Sequence, residues 1–211
     1  MDVAAAALAD QAPDGAHDLN HFDRVWRNAR TLLAHHPEAD ALVVLAACYL
    51  HDLVNVPKND PRRSIASRLS AELARETLAG LGFPPDRLAA VAHAVEAHSF
   101  SAGVAATTLE ARIVQDADRL DGLGAVGLAR MFYIAGRMGS ALAHGSDPLA
   151  RARPLDDKAY SLDHIDAKLA RLPGMMQTDA GRALGEARLA MLTDFRAAFA
   201  AEWAGVAPQE G

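Results

Sequence analysis

The feature that most constrains this chain is a ten-residue run, Ala41-Leu-Val-Val-Leu-Ala-Ala-Cys-Tyr-Leu50, that is apolar on every side and leads straight into His51-Asp52. A helix without a polar face belongs in a protein interior. Ten residues is well short of the roughly 20 needed to cross a bilayer, so the run reads as a core helix buried on every side, and no membrane is expected among the partners. An imidazole and a carboxylate at the end of such a helix cost several kcal/mol to bury unless they pair or coordinate a metal. A His–Asp pair tying down a helix end meets that requirement, and so does a metal site. The rest of the sequence has to choose between them.

Ala, Leu, Arg and Glu dominate the chain, and no segment alternates apolar and polar residues over strand length, so the fold class is all-α. Helices are expected at about 18–36, 38–54, 64–81, 85–99, 108–121, 124–142, 161–172 and 178–203. Pro37, Gly82 and Pro84-Pro85 punctuate the early helices, and Thr107-x-x-Glu110 has capping-box spacing. The last helix carries the stripe Leu184, Ala187, Met191, Leu192, Phe195, Phe199 and Trp203. Residues 55–63 and 144–157 read as loops. With 211 residues, one domain over 16–203 is expected, between loose ends at 1–15 and 204–211. Lys+Arg 21 against Asp+Glu 27 gives a net −6, which argues against a nucleic-acid partner. The single cysteine, Cys48, excludes an intrachain disulfide framework and any cysteine-based zinc finger. Met1-Asp2-Val3 places an acid where an export signal needs basic residues, so a cytoplasmic protein is expected.

Two further helices carry groups suited to join His51 and Asp52. In His17-Asp-Leu-Asn-His21-Phe-Asp-Arg24-Val25 the histidines stand four apart and share a face. Both can serve one metal, or His21 alone points inward at the head of the stripe His21, Val25, Ala29, Leu32, and the stripe favours His21. In Gln115-Asp116-Ala-Asp118-Arg-Leu-Asp121 the rotation of about 100° per residue sets Asp116 about 160° from Asp118, so the two cannot reach one ion. Asp118 and Asp121 lie about 60° apart. Asp116 falls on the Leu109, Ile113, Leu120 side, where it needs a hydrogen-bonded partner or a helix-terminus role. His98 lies with Leu88, Val91, Ala92 and Val95, whereas His93 points away. A second-metal ligand, a phosphate contact and a satisfied core histidine all remain open for His98.

Taken in order, His21-x-x-x-Val25, His51-Asp52 and Ala117-Asp118-Arg119-Leu120 resemble the His…His-Asp…Asp pattern of the HD-domain metal-dependent phosphohydrolase superfamily. His17-Asp-x-x-His21-x-x-Arg24-Val25, His98-Ser-Phe and Asp116-Ala-Asp118-Arg-Leu-Asp121-Gly-Leu-Gly resemble a bacterial subgroup related to nucleoside-triphosphate pyrophosphohydrolases. The motifs span about 17–125, leaving C-terminal helices over 126–203. The resemblance implies a helical bundle with His21, His51, Asp52 and Asp118 as metal ligands. Such a set suits one divalent ion, Mn, Co, Mg, Fe or Zn.

The implied reaction is hydrolysis of a phosphate ester or anhydride in a nucleotide. The leading form is cleavage of a (deoxy)nucleoside triphosphate to monophosphate and pyrophosphate. A phosphomonoesterase, a cyclic-nucleotide phosphodiesterase, a di-iron oxygenase using His93 and His98, and a sensor that binds metal or nucleotide without turnover are the alternatives. Related enzymes often carry an acid three residues after the doublet aspartate, and here that position is Asn55, which cannot accept a proton. The catalytic candidates are therefore Asp121, Asn55 and Asp116, or water activated by the ion alone. Arg24, Lys58, His98 and Lys168 are candidates for holding the substrate. A small nucleotide is the expected partner, and a homodimer stays open.

Overall fold

A computed structural model describes residues 19–54, 65–99 and 102–205. Among them are eight α-helices and no strand: α1 Leu19–Leu33, α2 Ala41–Leu50, α3 Ala66–Gly80, α4 Leu88–Ala97, α5 Leu109–Asp121, α6 Gly124–Arg137, α7 Asp163–Ala167 and α8 Asp179–Trp203. The all-α expectation is met, and no described helix is long and apolar enough to cross a membrane. The ends differ where local chemistry intervenes. Helix α2 starts three residues later than expected because Asp40 caps it, Oδ1 accepting N–H bonds from Leu42 at 3.0 Å and Val43 at 3.3 Å. The helix expected at 161–172 resolves into α7 and the 3-10 turns Leu169–Arg171 and Pro173–Met175. The one expected at 124–142 stops at Arg137, two residues before Gly139 at φ +76°.

Two compact units are distinguished within the chain: one from Met1–Asp118 with Gln177–Gly181, the other from Arg119–Met176 with Arg182–Gly211. In the first unit α2 is flanked by α1, α3 and α4, and α3 packs along α4. The apolar run explains this position. Val43, Val44, Ala47, Cys48 and Leu50 are all buried, and only the first turn, with Leu42 at 40% exposure, reaches solvent. On α1 the expected stripe holds, with His21, Val25, Ala29 and Leu32 at 0–1% exposure.

Two buried polar side chains hold α5 in the first unit. Asn28 on α1 donates from Nδ2 to the Ala117 carbonyl at 3.0 Å. Asp116, wholly buried, accepts at Oδ1 from the Gln177 N–H and at Oδ2 from the N–H and hydroxyl of Thr178, each at 2.8 Å. Thr178 Oγ1 in turn accepts from the Gly181 N–H at 3.0 Å. The carboxylate thus satisfies donors at the start of α8, where helix N–H groups have no intrahelical acceptor. This is the hydrogen-bonded, helix-terminus role that its position on α5 required.

The second unit holds α6, α7 and most of α8. Its long loop is built around two acids. Asp147 accepts the N–H groups of Arg151 and Ala152, both at 2.9 Å. Asp163 takes a two-pronged contact from Arg153 at 2.6 and 2.8 Å and the Asp156 N–H at 2.7 Å. The stripe on α8 is less buried than expected. Leu192 is fully buried, Ala187 is exposed, and the Phe195–Phe199–Trp203 ring ladder ends with Trp203 at 42% exposure.

Gly181 tests the Asp116 tie. A Cβ there would sit 2.5 Å from Asp116 Oδ2 and 2.8 Å from Thr178 Oγ1. Gly181→Ala is expected to destabilise by about 1–3 kcal/mol through overpacking, although alanine is the better helix former. The exposed Gly136→Ala, with nothing within 4 Å of its Cβ, is expected to be neutral or to stabilise by up to about 1 kcal/mol. The urea midpoint of Gly181→Ala should fall while that of Gly136→Ala holds or rises, and a Gly181→Ala midpoint at or above wild type contradicts the tie.

Candidate metal centre

Each candidate ligand is delivered by the end or the inner face of a helix of the first unit. His21 heads the buried stripe of α1, His51 caps the C-terminus of α2 with Asp52 following it, and Asp118 lies one residue after the carbonyl that Asn28 holds. Helix C-termini leave four carbonyls without intrahelical donors. His51 Nδ1 donates to one of them, Cys48 O, at 2.9 Å. That bond fixes the tautomer and turns the Nε2 lone pair inward.

The inward atoms converge. His21 Nε2 and His51 Nε2 are 3.2 Å apart, and Asp118 Oδ1 lies 3.6 Å from the first and 3.8 Å from the second. Asp52 Oδ2 is 3.7 Å from His51 Nε2. The sequence expected these four side chains to meet, and they do. His98 joins them at the C-cap of α4: its Nδ1 donates to Val95 O at 2.6 Å and its Nε2 is 3.4 Å from Asp52 Oδ1. Gln115, buried on α5, holds the adjacent carbonyl of Ala97 at 2.7 Å.

The electrostatics favour a cation. Burial drives the His51 pKa down to about 4, so its imidazole is neutral and its lone pair available. Burial alone would raise the carboxyl of Asp52, but His51, His98 and His21 hold it well below the usual carboxylate range. Burial likewise disfavours a charged His98, and the contact with Asp52 overrides it, drawing His98 up to about 9. The negative ends of α2 and α4 add to the preference for positive charge.

The donor set also fits a metal geometrically. Bonds of about 2.0–2.2 Å from nitrogen and oxygen to a common ion set neighbouring ligands about 3.0–3.6 Å apart. The separations of 3.2 and 3.6 Å fall within that range, and those of 3.7 and 3.8 Å lie 0.1–0.2 Å beyond it. His21, His51 and Asp52 form one group able to hold an ion, and His51, His98 and Asp118 a second, overlapping one.

The other candidates fall elsewhere. Asp116 is committed to the start of α8, as described. Asp121, 2% exposed, is paired with Arg130 Nη1 at 2.6 Å in the second unit. Lys168, also of the second unit, is 61% exposed and pairs with Asp157 at 2.7 Å. Arg24 is half-buried on α1, three residues after His21 and so close to its face. His93 is engaged by Thr107 through Nε2, 2.9 Å from its hydroxyl, apart from the cluster. Asn55 and Lys58 lie outside the described residues, as does His17. The supporting amides of Asn28 and Gln115 escaped the sequence reading.

Residues 18–123 match the HD domain family. The uncharacterized protein YpgQ of Bacillus subtilis (strain 168) is 34% identical over 192 residues, 89% of this chain and 84% of its own length. The crystal structure of B. subtilis YpgQ in complex with ADP is similar with a TM-score of 0.72 and 29% identity, over 95% of this chain and 91% of that one. An HD-superfamily hydrolase from Bacillus thuringiensis gives a TM-score of 0.73 at 26% identity, over 96% and 94%. The matched span contains all four converging side chains, and the chain belongs to the HD-domain superfamily of metal-dependent phosphohydrolases.

Proposed function

We propose that this chain hydrolyses a nucleoside or deoxynucleoside triphosphate to the monophosphate and pyrophosphate, using one divalent ion held by His21, His51, Asp52 and Asp118. The observation that carries the reading is the convergence of two buried Nε2 atoms 3.2 Å apart with two carboxylates at the ends and inner faces of three helices. A nucleotide as substrate is supported by the ADP complex of B. subtilis YpgQ. When bound, a divalent ion supplies positive charge to the phosphoryl oxygens and lowers the pKa of water towards about 7.

The chain's own residues prepare that chemistry. His51 is held by Cys48 O in the tautomer that offers Nε2, and Asn28 fixes the turn that carries Asp118. The carboxylates balance the charge of a cation inside an otherwise apolar bundle. Asp116 and Asp121 are poor proton acceptors in this arrangement. Protonating either would break a buried ion pair or the hydrogen bonds that start α8. Arg24, half-buried beside His21, is the cation we assign to the substrate phosphates, with Lys58 as a further phosphate-binding group.

The reading is tested by measuring phosphate and pyrophosphate release from a panel of nucleotides with Mn²⁺, Co²⁺ and Mg²⁺. Pyrophosphate from triphosphates is expected, and a metal chelator should abolish it. Release of inorganic phosphate alone makes the protein a phosphatase, ring opening of a cyclic nucleotide makes it a phosphodiesterase, and tight nucleotide binding without turnover makes it a sensor.

Two substitutions on α5 separate catalysis from folding. Asp118→Asn removes a charged ligand and is expected to lower kcat/KM by at least about 10³-fold, equivalent to several kcal/mol of lost charge stabilisation. Asp116→Asn is expected to act on stability instead, by about 1–3 kcal/mol in urea unfolding. Equal losses of activity from the two, in protein that remains folded, contradict the assignment of Asp118.

A further inference from the structure

Helix α2 offers its neighbours almost nothing to grip by direction. Among the 10 residues of Ala41–Leu50, Tyr49 alone carries a side-chain oxygen. Apolar contact is non-directional. Burial therefore keeps α2 inside without fixing how far it slides or turns. A shift of one residue moves a side chain about 1.5 Å along a helix and about 100° around it. Metal–ligand distances tolerate only about 0.2 Å. A directional contact has to set the register between α1, which brings His21, and α2, which brings His51.

Tyr49 spends its hydroxyl on α1. Its Oη donates to Asp23 Oδ1 at 2.6 Å, and both side chains are half-buried. This contact stands in a fixed relation to the histidine pair, whose Nε2 atoms are 3.2 Å apart. Asp23 lies two residues after His21, and Tyr49 lies two residues before His51. The two pairs run in opposite chain directions, as they must between antiparallel helices. Residues two apart stand about 160° from each other around a helix. The histidine pair and the Tyr49–Asp23 pair thus grip the seam between α1 and α2 from opposite flanks. Phe22, wholly buried between His21 and Asp23 in the chain, sets its ring edge-on to His51 at a centroid distance of 5.3 Å. Packing fills the seam, and one hydrogen bond locks its far side. Asp23 stands in neither of the two groups able to hold an ion.

We propose that Tyr49 and Asp23 are positioning residues: their hydrogen bond sets the register of α1 against α2, and with it the spacing of His21 and His51 at the ion. The inference rests on those histidines being metal ligands.

The test is Co²⁺ binding to the whole chain, read as affinity and as the visible absorption of the bound ion, which follows ligand geometry. Tyr49→Phe removes one hydroxyl and nothing else. It should still bind one ion, with affinity lowered about 5–30-fold and an altered spectrum. Asp23→Ala should do the same, and the double variant should be no worse than either single one, because all three lack the same bond. Asp23→Asn keeps an acceptor oxygen and should lie nearer wild type than Asp23→Ala. Urea unfolding checks that each variant folds, and Tyr49→Phe with Asp23→Asn carries the test if Asp23→Ala does not. Ala74→Gly, a buried change on α3, which brings no ligand, should lower stability and leave affinity and spectrum as in wild type. Wild-type affinity and spectrum in Tyr49→Phe overturn the inference, as do losses that add in the double variant. An equal loss in Ala74→Gly also overturns it, since affinity then only follows stability. If His51→Ala binds Co²⁺ as wild type does, the ligand assignment itself fails, a result distinct from any effect of Tyr49 or Asp23.

Discussion

Charge inside an apolar bundle is the constraint on which this molecule turns. Helix α2 has almost no polar surface, and it ends in an imidazole with no exposure at all, followed by a carboxylate. Left alone, such groups would be unstable in that interior. What stabilises them is mutual: Cys48 O takes one nitrogen of His51, and the other nitrogen shares a small volume with His21, Asp52 and Asp118. A divalent cation held among them would balance the charge of the two carboxylates. The packing that makes α2 central also makes its end the natural place for the chemistry, because three other helices of the first unit can deliver groups to it.

Neighbouring parts serve that arrangement. Asn28 and Gln115 each spend an amide on a main-chain carbonyl one residue before a functional group, Asp118 and His98 respectively. The bond from Gln115 satisfies the carbonyl of Ala97, which the end of α4 leaves without an intrahelical donor, and the two bonds set the register of α5 against α1 and α4. Asp116 does comparable service at the start of α8. Three acids within six residues of α5 thus have three separate duties: Asp118 in the cluster, Asp116 at the helix start, and Asp121 against Arg130.

Much of this was legible in the sequence because it follows from periodicity. A rotation of about 100° per residue separates Asp116 from Asp118, and it places His21 with Val25, Ala29 and Leu32, all of which are buried. The need of Asp116 for a hydrogen-bonded partner could be read, but its identity could not, since Thr178 lies 62 positions away. Asn28 and Gln115 were passed over because an amide on a helix looks the same whether it meets solvent or a distant carbonyl. Asp121 lies only about 60° from Asp118 around the helix, but angle says nothing of the arginine nine residues on that takes it. The direction of His98 depended on a carbonyl three residues back and on which oxygen of Asp52 it meets, neither of which spacing can reveal.

The most direct test of the metal centre is a crystal of the protein grown with Mn²⁺ and an anomalous difference map recorded from it. One peak is predicted within about 2.0–2.3 Å of His21 Nε2, His51 Nε2, Asp52 Oδ2 and Asp118 Oδ1. A map with no peak among those four atoms, or with its principal peak on other residues, contradicts the account.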